Sequence, residues 1–255
     1  MILMARYDFR TPRLFVDCPL GEGGTVALPR EQANYLLNVL RLKSGKEVLL
    51  FNGRDGEWRA RLDMAGRKSV QLSVAIRVRE QTPPYDLHYL FAPLKHARLD
   101  YMVQKAVEMG VSRLWPVITR HTQAERVNLA RMRANAIEAA EQCGILSIAE
   151  IAEPVKFDAL LRAWRADRLL VFCDEEADLK DPIAALAAVR GGGLVGPSPV
   201  SVLIGPEGGF ADEERAALAK LPNVVRLALG PRILRADTAA VAALSLVQAA
   251  LGDWR

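Results

Sequence analysis

"VLIGPEGGFADEERAALAKLPNVVRLALGPRILRADTAAVAAL" (Val202–Leu244) contains two apolar runs, each broken by a glycine–proline turn and each followed by a helical pattern. The first run breaks at Gly205 and Pro206. Asp212, Glu213 and Glu214 then mark a helix start, with Asp212 as the expected N-cap. The second run, Val225–Leu229, breaks at Gly230 and Pro231. A last helix is expected over Asp237–Leu251, with Asp237 or Thr238 as a candidate cap. Strand–turn–helix units of this kind stack on a parallel sheet, whose ligands sit at the carboxyl ends of the strands.

The chemistry of the first turn argues against a phosphate ligand. Phosphate needs free backbone N–H groups, a helix N-terminus and often a Lys or Arg. "GPEGGFADEE" offers Pro206, which has no N–H, and four carboxylates. Neither GxGxxG nor GxxxxGK[ST] occurs, so a dinucleotide or a nucleoside triphosphate is disfavoured. A ligand without phosphate and with positive charge, such as S-adenosylmethionine, suits the turn better. Its glycines would let the main chain approach closely.

Upstream the same alternation runs back to "LHYLFAPL" (Leu87–Leu94). Helices are expected at Leu99–Met109 and Arg131–Gln142, and strands at "SRLWPVIT", "RLLVFCDE" and "PVSVLIG". "GGGLVGPSP" (Gly191–Pro199) reads as a loop. Before Pro83–Pro84 the period changes. "RLFVD", "TVALP", "EVLLFNG", "GEWRARLDM" and "SVQLSVAIRV" are short strands, "FNGRDGEW" carries hairpin-turn signals, and one helix is expected over Glu31–Leu42. Several strands and one helix in this length predict a small barrel, with the domain boundary at the paired prolines.

Of the 255 residues, 51% are hydrophobic and 25% charged, a globular composition. The opening "MILMARYDFRTP" has no apolar signal core, and no stretch reaches the roughly 18–20 apolar residues of a membrane span. Cys18, Cys143 and Cys173 are unpaired in spacing and His88, His96 and His121 show no ligand spacing. The expectation is a cytoplasmic protein with no metal, whose histidines are surface or satisfied residues. Residues 1–85 carry fourteen Lys/Arg against nine Asp/Glu, whereas residues 86–255 carry twenty against twenty-one. The excess positive charge thus lies in the first third, where Arg6, Arg10 and Arg13 face only Asp8, and is of the kind that attracts a phosphate backbone.

"LIGPEGGF" followed by "LALGPRILRADTAAVAAL" resembles the paired signature of the RsmE family, the bacterial 16S ribosomal RNA uridine-N3 methyltransferases of the SPOUT superfamily. "MVQKAVEMGVSRLWPV", "EAAEQCG", "LNVLRLKSG" and "VLLFNG" extend the resemblance over nearly the whole chain. It implies a PUA-like β-barrel RNA-binding domain at residues 1–82. It also implies a SPOUT α/β domain at 83–255, with a deep trefoil knot on a mostly parallel sheet. Implied with it are S-adenosylmethionine as cofactor, a homodimer, and 16S ribosomal RNA of the assembled small subunit as partner. A SPOUT enzyme acting on another RNA position, and an RNA-binding adaptor with an inactive pocket, are the alternatives.

Carried onto this chain, the resemblance assigns the cofactor to Leu203, Gly205, Pro206, Glu207, Gly208, Gly209, Leu229, Gly230, Ile233, Leu234, Arg235 and Thr238. Arg6, Arg10, Arg13 and Arg232 are the expected RNA contacts. Arg235 is the expected stabiliser of the uridine anion, with Asp237 or Glu207 as proton acceptor. Three stretches depart from the family pattern. Ala236–Asp237 replaces Thr-Glu, "EQCGI" lacks a common arginine, and "PVITRHTQ" replaces a Ser-Glu-Arg-Ser type stretch. The dimer is expected to use the face of the last helix bearing Val241, Leu244, Val247 and Leu251.

Overall fold

A computed structural model of the chain describes residues 8, 10–64, 70–95, 97–123, 126–177, 181–191 and 199–254. Arg6, His96 and most of the 191–199 loop lie outside these residues. The chain packs as two units. One comprises Met1–Pro83 with Ala140–Ile148, the other Pro84–Ala139 with Ala149–Arg255.

The first unit is a five-stranded sheet of β1 (Arg13–Phe15), β2 (Thr25–Ala27), β3 (Glu47–Phe51), β4 (Glu57–Met64) and β5 (Val70–Arg79). The strand order is β1-β3-β4-β5-β2, so β1 and β2 stand at opposite edges and the sheet is a half-barrel. Alternation along the strands aims Val48, Leu50, Leu62 and Leu72 at a core sealed by Leu36, all five wholly buried. The hairpin signals hold. Asn52 Oδ1 accepts the N–H groups of Arg54 and Asp55 at 3.0 and 2.9 Å, and Gly53 and Gly56 take φ of +82° and +83° in the β3–β4 turn. The expected helix is shorter and irregular. α1 covers Arg30–Asn34 and continues as a wider π-helical turn, Tyr35–Val39, closed by Leu40 N–H on Tyr35 O at 2.9 Å.

Arg13 differs from the expectation of an RNA contact. Its side chain is 8% exposed and pairs with Glu57 at 2.6 Å. It also donates to the carbonyls of Ala140, Glu141 and Ile145 at 2.5, 2.9 and 3.1 Å. A guanidinium committed to four internal acceptors holds the 140–148 segment and is not presented to a phosphate. Arg10 is exposed.

The second unit alternates strand and helix as expected: β6 (Leu87–Phe91), α2 (Ala97–Glu108), β7 (Arg113–Ile118), α3 (Leu129–Cys143, whose last turn packs in the first unit), β8 (Glu150–Ile151), β9 (Val155–Lys156), α4 (Phe157–Arg162), β10 (Leu169–Cys173), α5 (Pro182–Gly191), β11 (Val200–Ile204), α6 (Asp212–Ala219), β12 (Val224–Leu227) and α7 (Ala236–Ala250). The sheet order is β12-β10-β11-β6-β7-β8, with β9 also on β7, and every pairing is parallel. β11, buried at all five residues, lies near the middle of the sheet, which explains its unbroken apolar run.

Two residues secure the strand starts. Arg168, 5% exposed, forks onto Asp86 at 2.6 and 2.7 Å. His88 faces the same carboxylate at 3.1 Å, but burial first, and Arg168 next, hold its pKa down to about 4. It is a neutral, satisfied histidine, as expected. The α7 face expected to form the dimer is in part packed within the protomer, with Val241 left half-buried. Leu244, Val247 and Leu251 are buried, α7 packs on α2, and Gln248 Nε2 donates to Met109 O at 2.6 Å. Among the described residues no helix is long and apolar enough to cross a membrane.

Candidate active site

Three adjacent strands, β12, β10 and β11, end in loops that enclose a cavity of about 460 Å³. The β11 loop contributes Gly205–Phe210, the β12 loop Leu229, Gly230 and Arg232–Arg235, and the β10 loop Asp174 and Glu175. Ile204, Leu227 and Ala239 add apolar wall. A drug-sized ligand fits such a volume.

The β11 loop is shaped by what its glycines lack. A Cβ on Gly205 would stand 2.9 Å from the Phe210 ring. That ring is buried and packs edge-on against Phe172. Gly209 has φ +69°, and its Cβ would meet Glu175 Oε1 at 2.8 Å. Two internal ties place the loop. Glu207 at its tip pairs with Arg98 near the start of α2. His121, in the loop after β7, sets Nδ1 3.2 Å from the carbonyl oxygens of both Gly208 and Gly209. The carboxylate at the turn's tip therefore serves an arginine in the first turn of α2.

Beneath the cavity, Asp174 is almost wholly buried. Its Oδ2 accepts from Arg226 at 2.6 Å, and its Oδ1 lies 3.7 Å from Arg215. Arg215 also holds Glu175 at 3.0 Å. Burial, reinforced by Asp174, pushes the Cys173 thiol up to about 12, so this cysteine is no thiolate nucleophile at neutral pH.

The cavity is a poor phosphate cradle. The carboxylates of buried Asp174 and exposed Glu175 line it, and Pro206 removes one N–H from the rim. The volume fits a ligand of nucleoside size without phosphate. S-adenosylmethionine has this character, with a sulfonium and an ammonium and no phosphate.

Two family models match the chain: an RNA methyltransferase domain over residues 81–248 and an RNA methyltransferase PUA domain over residues 28–75. The ribosomal RNA small subunit methyltransferase E of Rickettsia conorii is 28% identical over 92% of this chain and 94% of its own length. The chain belongs to this RNA methyltransferase family. Two solved members agree in fold. A Legionella pneumophila protein in complex with bound S-adenosylmethionine is 31% identical, with a TM-score of 0.80 over 94% of this chain and 98% of its own. A ribosomal RNA small subunit methyltransferase E from Neisseria gonorrhoeae, bound to S-adenosylmethionine, is 26% identical, with a TM-score of 0.81 over 96% of this chain and 100% of its own.

Most of the residues singled out for the cofactor meet at the cavity: Gly205, Pro206, Glu207, Gly208, Gly209, Leu229, Gly230, Ile233, Leu234 and Arg235, together with Arg232. Leu203 does not line it and is wholly buried within β11, in the core beneath. Asp237 and Thr238 are not among the lining residues either. Neither caps α7, because the cap position is Arg235 and Asp237 Oδ1 accepts the N–H of Thr238 at 2.9 Å. The N-cap of α6 is likewise Ala211 rather than Asp212. Glu214 reaches back to the Ala211 N–H at 3.0 Å and supplies the capping carboxylate. The sequence leaves Asp174 and Glu175 without an assigned role and presents His121 as a surface or satisfied histidine. The strand-end acids of "FCDEE" were a usable signal, since β10 is a strand of the same sheet.

Proposed function

We propose that the chain transfers a methyl group from S-adenosylmethionine to N3 of a specific uridine in 16S ribosomal RNA. The observation that carries the reading is the cavity at the ends of β10, β11 and β12, with its glycine approach and its carboxylate floor. The cofactor-bound state of two solved relatives supports it. S-adenosylmethionine supplies an electrophilic methyl group when bound. Gly205, Gly208, Gly209 and Gly230 would lie along it with their main chain, and Ile204, Leu227, Leu229 and Leu234 would exclude water. Arg232 and Arg235, at the cavity rim, would face the RNA. We place the RNA-holding domain at residues 1–82 and the methyltransferase domain at 83–255, acting in the cytoplasm where small subunits assemble.

Calorimetry with S-adenosylmethionine, and mass spectrometry of 16S ribosomal RNA from a strain lacking the gene, test the reading together. We expect binding heat, and the loss of one methylated uridine restored by the wild-type gene. A titration without heat, or an unchanged RNA, overturns it. A homodimer belongs to the same proposal. Ile233 is 93% exposed at the cavity rim, a position that a second copy would cover. Sedimentation as a monomer at micromolar concentration sinks the dimer.

A further inference from the structure

A second cavity, of about 290 Å³, adjoins the first and shares Pro206 and Glu207 with it. Its other walls are Pro93, Leu94 and Lys95 from the loop after β6, Arg98 from the start of α2, and His121 and Gln123 from the loop after β7. We propose that this cavity seats the target uracil and that His121 is the catalytic base that takes its N3 proton. The proposal deepens the uridine-methyltransferase reading and rests on it.

Thr119 N–H donates to Thr122 Oγ1 at 2.9 Å, which closes a tight turn around His121. The Arg120 N–H donates to Glu214 Oε1 at 2.9 Å, while Oε2 of the same buried carboxylate caps α6. One glutamate therefore fixes both the His121 turn and the end of the glycine loop. The turn's backbone is thus held, and the exposed imidazole rests with Nδ1 against two carbonyl oxygens, of Gly208 and Gly209.

Carbonyls only accept hydrogen bonds. Nδ1 must therefore carry the hydrogen, and in the neutral ring Nε2 holds the lone pair. A neutral imidazole with its tautomer fixed by main chain is the form required of a base. The surroundings suit an anionic nucleotide. Lys95 comes from the β6–α2 loop and Arg98 from the first turn of α2, and Arg98 offsets Glu207. Glu213 of α6 is occupied by Arg120 at 3.3 Å, and Glu214 by two backbone N–H groups. Glu207 at this cavity is paired with Arg98, whereas among the described residues no hydrogen bond holds Nε2 of His121.

The step balances. The N3–H bond breaks and the proton passes to Nε2. The freed pair on N3 forms a bond to the methyl carbon as the carbon–sulfur bond breaks, and its electrons stay on sulfur. The products are 3-methyluridine, S-adenosylhomocysteine and an imidazolium that later yields its proton to water.

The test has two arms on the full-length chain. In the first, ring-¹⁵N-labelled protein without cofactor is followed by NMR, with His121 assigned by its absence in His121→Gln. The Nδ1–H tautomer is expected in the neutral ring, and an Nε2–H tautomer overturns the proposal. In the second, methyl transfer to small ribosomal subunits lacking the modification is measured against pH. Removing a positioned base costs roughly a hundredfold or more. His121→Gln should lose that much at neutral pH while binding S-adenosylmethionine with unchanged affinity by calorimetry. Its rate should climb steadily with pH, and added imidazole should restore part of the rate of His121→Gly. A His121→Gln profile that matches the wild type overturns the assignment. A wild type that binds S-adenosylmethionine and methylates a position other than uridine N3 overturns the underlying reading instead, as does a wild type that binds none.

Discussion

Gly205→Ala is expected to weaken S-adenosylmethionine binding by at least about a hundredfold, a loss near 2.8 kcal/mol at 1.4 kcal/mol per decade. The single added carbon would stand 2.9, 3.1 and 3.2 Å from three atoms of the Phe210 ring. A flexible side chain would turn aside, but this ring is 3% exposed and packs edge-on to Phe172 at 6.2 Å between centroids. The main chain must therefore move instead, and that main chain is the cavity wall. Overpacking of this kind costs about 1–3 kcal/mol of stability, so the variant should still fold. Gly208→Val is the milder companion, since its first added carbon meets only His121 Cβ, at 3.3 Å, and the residue is exposed. Calorimetry and thermal melts on both, and on Gly205→Ala combined with Phe210→Leu, separate the causes. If the steric argument holds, trimming the ring recovers affinity that the single variant lost. Full affinity in folded Gly205→Ala would show that the ligand does not depend on this turn.

The contrast between the two glycines shows which parts of the site could be read from residues alone. Apolar runs ending in Gly-Pro located β11, β12 and the cavity, because strand ends on a parallel sheet are where ligands sit. They could not show which side chain each glycine must avoid, since the Phe210 ring is turned back on Gly205 by its packing against Phe172 and His121 reaches the loop from the end of β7. Asp174 and Glu175 were missed because β10 lies between β11 and β12 in space but precedes both in the chain. The caps were misplaced by one to three residues, because the cap positions are held by Ala211 and Arg235, which the capping preferences do not favour. Arg13 looked free because only Asp8 is near it in sequence. Its partner Glu57 is brought close by the pairing of β1 with β3 and of β3 with β4. The π-helical turn after α1 carries no composition signal, and the two-residue β9 is too short for a period.

Arg235→Ala is expected to leave cofactor binding nearly intact and to cut methyl transfer by about a hundredfold or more, the scale for removing one preorganised donor at developing charge. When uridine loses its N3 proton, the charge spreads over the two flanking carbonyl oxygens, and a guanidinium beside one of them favours the anion. Arg235 lines the cavity, is exposed and stands at the N-cap of α7, where its backbone is fixed at φ −65° and ψ 152°. An arginine that merely shaped the loop would be held by a carboxylate, as Arg226 and Arg215 are by Asp174. Among the described residues no acceptor or ion-pair partner holds the Arg235 side chain, so its donors remain available to a substrate. Arg232, in the same loop and equally unheld among these residues, is the control. Its removal should weaken RNA binding and flatten its salt dependence while leaving turnover at saturating RNA nearly unchanged. The pH dependence separates anion stabilisation from binding. With Arg235 gone the anion is less favoured, so the rate at neutral pH falls. As the pH rises, hydroxide ionises uridine unaided and part of the loss returns. Arg235→Ala protein that loses S-adenosylmethionine affinity as well, or whose deficit stays constant with pH, would show that the residue builds the cavity and does not stabilise the anion.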